Sequence, residues 1–271
     1  MSETSIPNSI SRRQLLQLSS GLSATCILGC THDQVTTLET PIQYAKHEIL
    51  MLVYPRFTTL DLIGPQHVFA LLGPEYKTRL VWKDKAEVIS DTGVPIRPTM
   101  SFDDCRPAPE ILFIPGGTDG TLAAMEDKQV RDFVAKMGAE ATYVTSVCTG
   151  SLILGAAGLL NGYKATSHWL ALKVLKEFGA EPLEQRVVVD RNRITGAGVT
   201  AGIDFALTLT SLLKDDDYAK SVQLMMEYDP QPPFESGNLK SASAESVKLL
   251  EAMADPFLEG VKATKVKIAT Q

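Results

Sequence analysis

A strand passes directly into a helix within residues 141–155, whose sequence is Ala-Thr-Tyr-Val-Thr-Ser-Val-Cys-Thr-Gly-Ser-Leu-Ile-Leu-Gly. The residues before Cys148 are β-branched and apolar, which is typical of a buried strand, and those after it are small and compatible with a helix. A cysteine at such a junction lies on a sharp turn, with its sulfur at the start of the helix. The helix dipole and the free N–H groups there favour a thiolate, so the pattern indicates a nucleophile. The alternative is a small buried hydrophobic residue, the usual role of a free cysteine.

Other segments continue this alternation of strands and helices. Residues 48–54 and 110–114 are near-continuous apolar runs, as are residues 142–147, and such runs are typical of strands buried on both faces of a parallel sheet. The alternation predicts a doubly wound α/β sandwich with a mostly parallel central sheet. Helices are predicted over 60–72, 127–137, 170–178 and 202–213, and a hairpin over 187–195.

Two prolines fall inside predicted helices. We expect Pro65 to lie in the first turn of its helix, where a missing N–H is tolerated. The amphipathic C-terminal stretch over 242–261 is predicted to be helical but broken or kinked near Pro256.

Polar and glycine positions follow the three predicted strands, where ligands gather in such sheets. Asp61 follows the first strand, Gly116 and Gly117 the second, and Cys148 the third. Asp61 is either a helix cap or a buried acid that hydrogen-bonds to sulfur and protonates substrate. Gly116 and Gly117 form either a plain turn or, with the N–H of Thr149, an oxyanion-type hole.

Two further residues are candidates for the same crevice. The hydroxyl of Thr149 either caps the helix or contacts substrate. His168 is either a base for the thiol or, as we favour, a histidine at a helix start that packs on Trp169.

Composition limits the function classes. A net charge of −6, with basic residues scattered along the chain, argues against a nucleic-acid surface. No apolar run reaches the roughly 18 residues of a transmembrane helix. Cys105 and Cys148 have no partners at metal-ligand spacing, so no metal site, of zinc or of another ion, is expected. A disulfide between these two cysteines stays an open alternative.

The first 30 residues are predicted to be an export signal. Arg12 and Arg13 precede a weakly hydrophobic run to Leu28, a pattern that resembles a twin-arginine signal. Gly29 and Cys30 follow, resembling the site at which a bacterial lipoprotein is cleaved and lipidated. We expect a signal over 1–30, a tether over 31–46 and a lipid anchor at Cys30, the one membrane contact predicted. The alternative is a cytoplasmic protein.

Together these motifs resemble the ThiJ/PfpI superfamily and, within it, the branch that hydrates isonitriles. The resemblance implies a flavodoxin-like domain over about 47–233, followed here by a C-terminal loop and helix over 234–271, and it implies a homodimer. By resemblance, Cys148 matches the nucleophile, Asp61 its acidic partner and Thr149 a pocket residue. The matching segments are 60–65, 114–118, 144–160, 166–169 and 194–209.

The resemblance implies cysteine-dependent hydration of small-molecule isonitriles to N-substituted formamides, without a cofactor. One alternative is a glyoxalase or deglycase that acts on small reactive aldehydes and uses His168 as a proton shuttle. Another is a redox sensor without turnover, in which Cys148 is oxidised. Thr149 stands where branches with protease-like chemistry carry a histidine, which argues against a Cys-His peptidase.

Overall fold

The computed structural model describes residues 42–270, and the elements below belong to the compact unit that begins at Ala45. The strands are β1 (His47–Leu52), β2 (Tyr76–Trp82), β3 (Val88–Ile89), β4 (Pro95–Ile96), β5 (Met100–Ser101), β6 (Ile111–Ile114), β7 (Tyr143–Val147), β8 (Lys164–Ala165), β9 (Glu181–Pro182), β10 (Val187–Asp190) and β11 (Arg193–Gly196). The helices are α1 (Thr59–Phe69), α2 (Thr118–Glu126), α3 (Lys128–Glu140), α4 (Gly150–Ala156), the 3-10 helix Leu172–Phe178, α5 (Ala201–Leu213), α6 (Asp216–Met225) and α7 (Ala244–Ile268).

The N-terminal predictions concern residues that are largely beyond this range. The predicted signal over 1–30, the lipid anchor at Cys30 and most of the tether over 31–46 lie outside the described residues. Within residues 42–270, no helix combines the length and apolar character needed to cross a membrane.

A seven-stranded sheet forms the centre of the domain, in the order β10-β11-β7-β6-β1-β2-β5. The hairpin pair β10–β11 is antiparallel, and the other neighbouring pairs in this sheet are parallel. The predicted strands correspond to β1, β6 and β7, which lie side by side in the middle and are almost wholly buried. The doubly wound, flavodoxin-like α/β fold is thereby confirmed, and so is the predicted hairpin.

Helices pack in two groups about this sheet. One group consists of α1, α5 and α6, and the other of α2, α3, α4 and α7. Phe69 of α1, Phe113 of β6 and Phe205 of α5 meet in the core, with ring centroids 5.7–6.3 Å apart. This aromatic packing holds α1, and therefore Asp61, against the sheet.

Three details of the predicted helices are wrong. Residues 172–178 form a 3-10 helix rather than an α-helix, although it ends as expected at Gly179, which has a φ of 75°. Pro65 lies in the middle of α1, not in its first turn, with its ring against Gly202 of α5. Helix α7 continues through Pro256, so the predicted break there is wrong, whereas the alternative of a kink stays a prediction; Ala252, whose carbonyl loses its usual partner, is exposed and can bond water instead.

Candidate active site

Cys148 lies between β7 and α4 in a conformation that non-glycine residues rarely adopt, with a φ of 55°. Its N–H donates to the carbonyls of Gly196 and Ala197, at 3.1 and 2.6 Å, where β11 ends. Its own carbonyl accepts from the hydroxyls of Ser151 and Ser167, at 3.1 and 3.0 Å. The sharp turn predicted from the sequence is confirmed, and these four hydrogen bonds hold its strained backbone in place.

Asp61 is a buried acid in the first turn of α1. Thr58, not Asp61, is the N-cap of that helix, so the helix-cap interpretation of Asp61 is wrong. Its Oδ2 accepts a hydrogen bond of 2.9 Å from the N–H of Gly116. Its Oδ1 is fully buried and has no hydrogen-bond partner. One carboxyl oxygen is therefore bound to the protein, and the other is left for chemistry.

Gly116 is the point at which these groups converge. A Cβ atom there would lie 2.7 Å from Oδ2 of Asp61 and 2.8 Å from Oγ1 of Thr149, so no larger residue fits. The segments that follow β1, β6 and β7 therefore bring Asp61, the glycine turn and the cysteine elbow together, as the sequence predicts.

The glycine amides do not serve as a free oxyanion hole. The N–H of Gly116 is bonded to Asp61, and the N–H of Gly117 donates to Oγ1 of Thr149 at 3.0 Å. That part of the prediction is wrong: Gly116 and Gly117 orient two side chains of the site. Thr149 is the N-cap of α4 but its hydroxyl makes no capping bond, so the capping alternative is wrong as well.

The electrostatics of the thiol differ from the expectation of a resting thiolate. Burial raises the pKa of Cys148 well above its ordinary value, and the charge of Asp61 raises it further, while the N–H and hydroxyl of Thr149 oppose this effect. Because α4 has only seven residues, its start does not outweigh burial. Cys148 therefore rests as a thiol.

Asp61, the acid beside this thiol, has a pKa near neutral pH. Burial raises the pKa of Asp61 from 3.8 to about 7, although the hydrogen bond from Gly116 and the nearby thiol of Cys148 lower it. Asp61 consequently titrates near neutral pH, which suits a group that both takes and gives a proton. The predicted buried acid next to the thiol matches this geometry.

His168 packs beside Trp169, with ring centroids 5.9 Å apart. The N–H of Leu170 approaches its Nδ1 at 3.4 Å, and burial alone lowers its pKa. The main causes of the raised pKa of Cys148 are burial and Asp61, not this histidine. These contacts match the favoured interpretation, a packed histidine rather than a base for the thiol.

The second thiol lies away from this cluster. Cys105 is half-buried, donates to the carbonyl of Ser101 at 3.4 Å, and burial raises its pKa to about 12. Both Cys105 and Cys148 are free, so the disulfide alternative is wrong. Among residues 42–270, no group of three or more His, Cys, Asp or Glu side chains is arranged to hold a metal ion.

Two polar residues of the site escaped sequence reasoning. Tyr54 and Thr121 are buried behind Thr149, where the hydroxyls of Thr121 and Thr149 lie 2.8 Å apart. Their positions in the sequence could have indicated that they belong to the site, since Tyr54 follows β1 and Thr121 follows the glycine turn after β6.

Known proteins share this architecture. Residues 47–212 match the DJ-1/PfpI family. The chain is 48% identical over 212 residues to the isonitrile hydratase of Pseudomonas putida, covering 78% of this chain and 92% of that enzyme. It is 30% identical over 149 residues to a deglycase of Thermococcus kodakarensis, covering 55% of this chain and 88% of the deglycase. A crystal structure of a ThiJ/PfpI family protein from Pseudomonas syringae, 47% identical, has a TM-score of 0.79 over 88% of this chain and 97% of its own.

Proposed function

The chain belongs to the DJ-1/PfpI family, and we propose that it is a hydro-lyase that adds water to isonitriles and releases N-substituted formamides. One observation carries the proposal: a buried carboxyl group with one unpaired oxygen and a pKa of about 7 lies beside a buried thiol. The similarity to an isonitrile hydratase over most of both chains supports the choice of substrate.

In the first step, Asp61 acts as the base and then as the acid. Its carboxylate accepts the proton of Cys148, and the thiolate forms a bond to the terminal carbon of the isonitrile. Asp61 then delivers the proton to that carbon, which gives a thioimidate and restores the carboxylate. A pKa of about 7 makes both transfers accessible at neutral pH.

In the second step, water replaces the sulfur. The water oxygen bonds to the thioimidate carbon, and one of its protons goes to the nitrogen. The carbon–sulfur bond then breaks as the C=O bond of the formamide forms, and the remaining proton returns to the sulfur through Asp61. The sum is one isonitrile and one water consumed for each formamide released.

Turnover of an aryl isonitrile, set against turnover of methylglyoxal, tests this proposal. We expect formamide from the wild-type protein and none from Cys148→Ser, while Cys105→Ser serves as a matched control that keeps wild-type rates. Methylglyoxal as the better substrate would favour aldehyde chemistry, and no turnover of either compound would favour a redox sensor.

We also propose export through the twin-arginine route with anchoring at Cys30, and assembly as a homodimer. Replacing Arg12 and Arg13 by lysine should keep the protein in the cytoplasm on cell fractionation. Retention in the membrane fraction despite both changes would contradict the export proposal. Light scattering of the purified protein should give twice the mass of one chain.

A further inference from the structure

A chain of buried hydroxyls leads away from Thr149. The hydroxyls of Thr149 and Thr121 lie 2.8 Å apart, and that of Thr121 lies 3.3 Å from the hydroxyl of Tyr54. Tyr54 in turn donates to the carbonyl of Pro115 at 2.8 Å. Tyr54, Thr121 and Thr149 are exposed by 1%, 0% and 6%, so this chain excludes bulk water.

Each hydroxyl has one proton, which fixes the direction of the chain. Because Tyr54 gives its proton to Pro115, its oxygen can only accept from Thr121. Thr121 then has no second proton and must accept from Thr149. Thr149, which also accepts from Gly117, has its proton directed away from the sulfur in this arrangement.

We propose that the hydroxyls of Tyr54, Thr121 and Thr149 form a reversible chain that points away from Cys148 while the sulfur carries its proton and towards it once the sulfur is a thiolate. In the reversed arrangement Tyr54 donates to Thr121, Thr121 to Thr149 and Thr149 to the sulfur. Only O–H bonds rotate, and no proton changes owner. Tyr54 and Thr121 are then positioning residues for the nucleophile, an inference that rests on the proposed function of Cys148.

The surrounding charges are compatible with this role. Asp61 faces Cys148 from α1, and Asp91 in the loop between β3 and β4 acts on both Asp61 and Tyr54. Burial, and to a smaller extent these carboxylates and Cys148, raise the pKa of Tyr54 well above its ordinary value, although its bond to Thr121 opposes this. Tyr54 therefore stays a protonated donor. Donors aligned along a buried chain strengthen one another, so Thr149 stabilises a thiolate better with Thr121 and Tyr54 behind it than alone.

The test is the rate at which iodoacetamide alkylates Cys148, followed on the Cys148 peptide by mass spectrometry across a range of pH. In Thr121→Val the rate at neutral pH should fall about two- to fourfold, because Thr149 keeps its bond to the sulfur but loses the aligned donor behind it. In Tyr54→Phe the rate of alkylation should fall by a smaller factor. Thr121→Ser, which keeps the hydroxyl, should react at the wild-type rate. The pH of half-maximal alkylation should move upward in Thr121→Val and Tyr54→Phe. A change in the accessibility of the thiol would instead alter only the maximal alkylation rate at high pH.

Tyr218→Phe is the matched control, because Tyr218 donates to the carbonyl of Leu71 at 2.7 Å, away from this cluster. It should leave the alkylation profile of Cys148 unchanged. Adding Tyr54→Phe to Thr121→Val should have no further effect, since the chain is already broken. Unchanged midpoints in folded Thr121→Val and Tyr54→Phe, or additive effects in the double variant, would overturn the inference. Alkylation does not require isonitrile turnover, so a shifted midpoint in a protein that hydrates no isonitrile would reject the proposed function alone.

Discussion

The two ends of β1 hold polar groups in opposite ways, partly buried at its start and fully buried beyond its end. At the start of the strand, Nδ1 of His47 lies 2.7 Å from Oε2 of Glu110, and Nε of Arg79 lies 2.8 Å from Oε2 of Glu48. Beyond its other end, no basic side chain within residues 42–270 bonds to Asp61. Both ends belong to the same parallel sheet, so topology does not explain the difference.

What differs is charge compensation, and it distinguishes stability from chemistry. A carboxylate paired with a cation keeps its charge and stabilises the fold. A carboxyl group buried without a cation holds a proton up to neutral pH at a cost in stability, and such groups concentrate at functional sites. This difference favours the end at which β1 leads to Tyr54 and Asp61, beside Cys148, as the end that carries the proposed chemistry.

Cys148→Ala should have the largest effect on turnover, and it tests whether the end of the sheet that holds Asp61 carries the chemistry. Turnover should fall to background, because the variant lacks the thiol that bonds to the isonitrile carbon. The melting temperature should change by only a few degrees, since alanine fits the volume of a buried cysteine and the backbone bonds of the elbow remain. An isonitrile assay and thermal unfolding measure the two effects. Retained activity would reject the mechanism, and an unfolded variant would identify Cys148 as a packing residue.

Asp61→Asn should reduce turnover by about 10²–10⁴, the usual contribution of a general acid or base. Asparagine can still accept the bond from Gly116, so the shape of the site is kept. Steady-state kinetics with an aryl isonitrile measure the loss. Near-normal turnover would remove Asp61 from the mechanism.

The same substitution should stabilise the protein at alkaline pH. Because the folded-state pKa of Asp61 is raised from 3.8 to about 7, the folded protein keeps a proton that the unfolded chain releases. The free energy of unfolding of the wild type therefore falls as pH rises through that interval, by on the order of 4 kcal/mol at most. Asp61→Asn should lack this decline, as urea denaturation at acidic and alkaline pH would reveal. An equal decline in the variant would place its origin elsewhere.

His168→Asn should reduce isonitrile turnover by less than about tenfold, well below the factor of roughly 10² or more expected for a lost acid or base. The reason is that His168 packs on Trp169, while burial and Asp61 are the main causes of the raised pKa of Cys148. Parallel assays with isonitrile and methylglyoxal provide the measurement. A loss of about three orders of magnitude, with methylglyoxal the better substrate, would instead favour the aldehyde mechanism.

Glu48→Gln is the counterpart of Asp61→Asn at the other end of β1, and its effect on turnover should be the smallest. The substitution replaces the ion pair between Glu48 and Arg79 by a neutral hydrogen bond, where both side chains are only 12–13% exposed. We expect wild-type turnover and a free energy of unfolding lower by about 1–3 kcal/mol. The two amide substitutions should thus change stability in opposite directions, and a common sign would contradict the proposed division of the sheet.

The sequence predicts best those strands whose two faces are both buried. The runs that became β1, β6 and β7 are apolar on both faces, and few other structures accommodate such runs. Strand β2 was missed because Lys77 and Arg79 interrupt its pattern, although it pairs with β1 along six residues. Helix α6 begins with acidic residues and buries only Ala219 and Val222, too few for a visible stripe.

The site was predictable as a set of positions but not as a set of charges. Asp61, Gly116 and Cys148 each follow a strand, and parallel pairing brings those strand ends together. The protonation of Cys148 depends on burial and on Asp61, both of which are tertiary effects that a local helix-start argument leaves out. The hydroxyl chain depends likewise on three separate segments, so no single segment contains its pattern.

The close approach at Gly116 limits how this protein can be redesigned. A saturation library at that position would yield mainly inactive clones, because any Cβ would displace the carboxyl group of Asp61 or the backbone of Thr149. Gly117 is equally closed, with a Cβ only 2.5 Å from the carbonyl of Arg56. A change of substrate range must therefore come from substitutions of the surrounding side chains. Gly116 and Gly117 have to be kept in every variant.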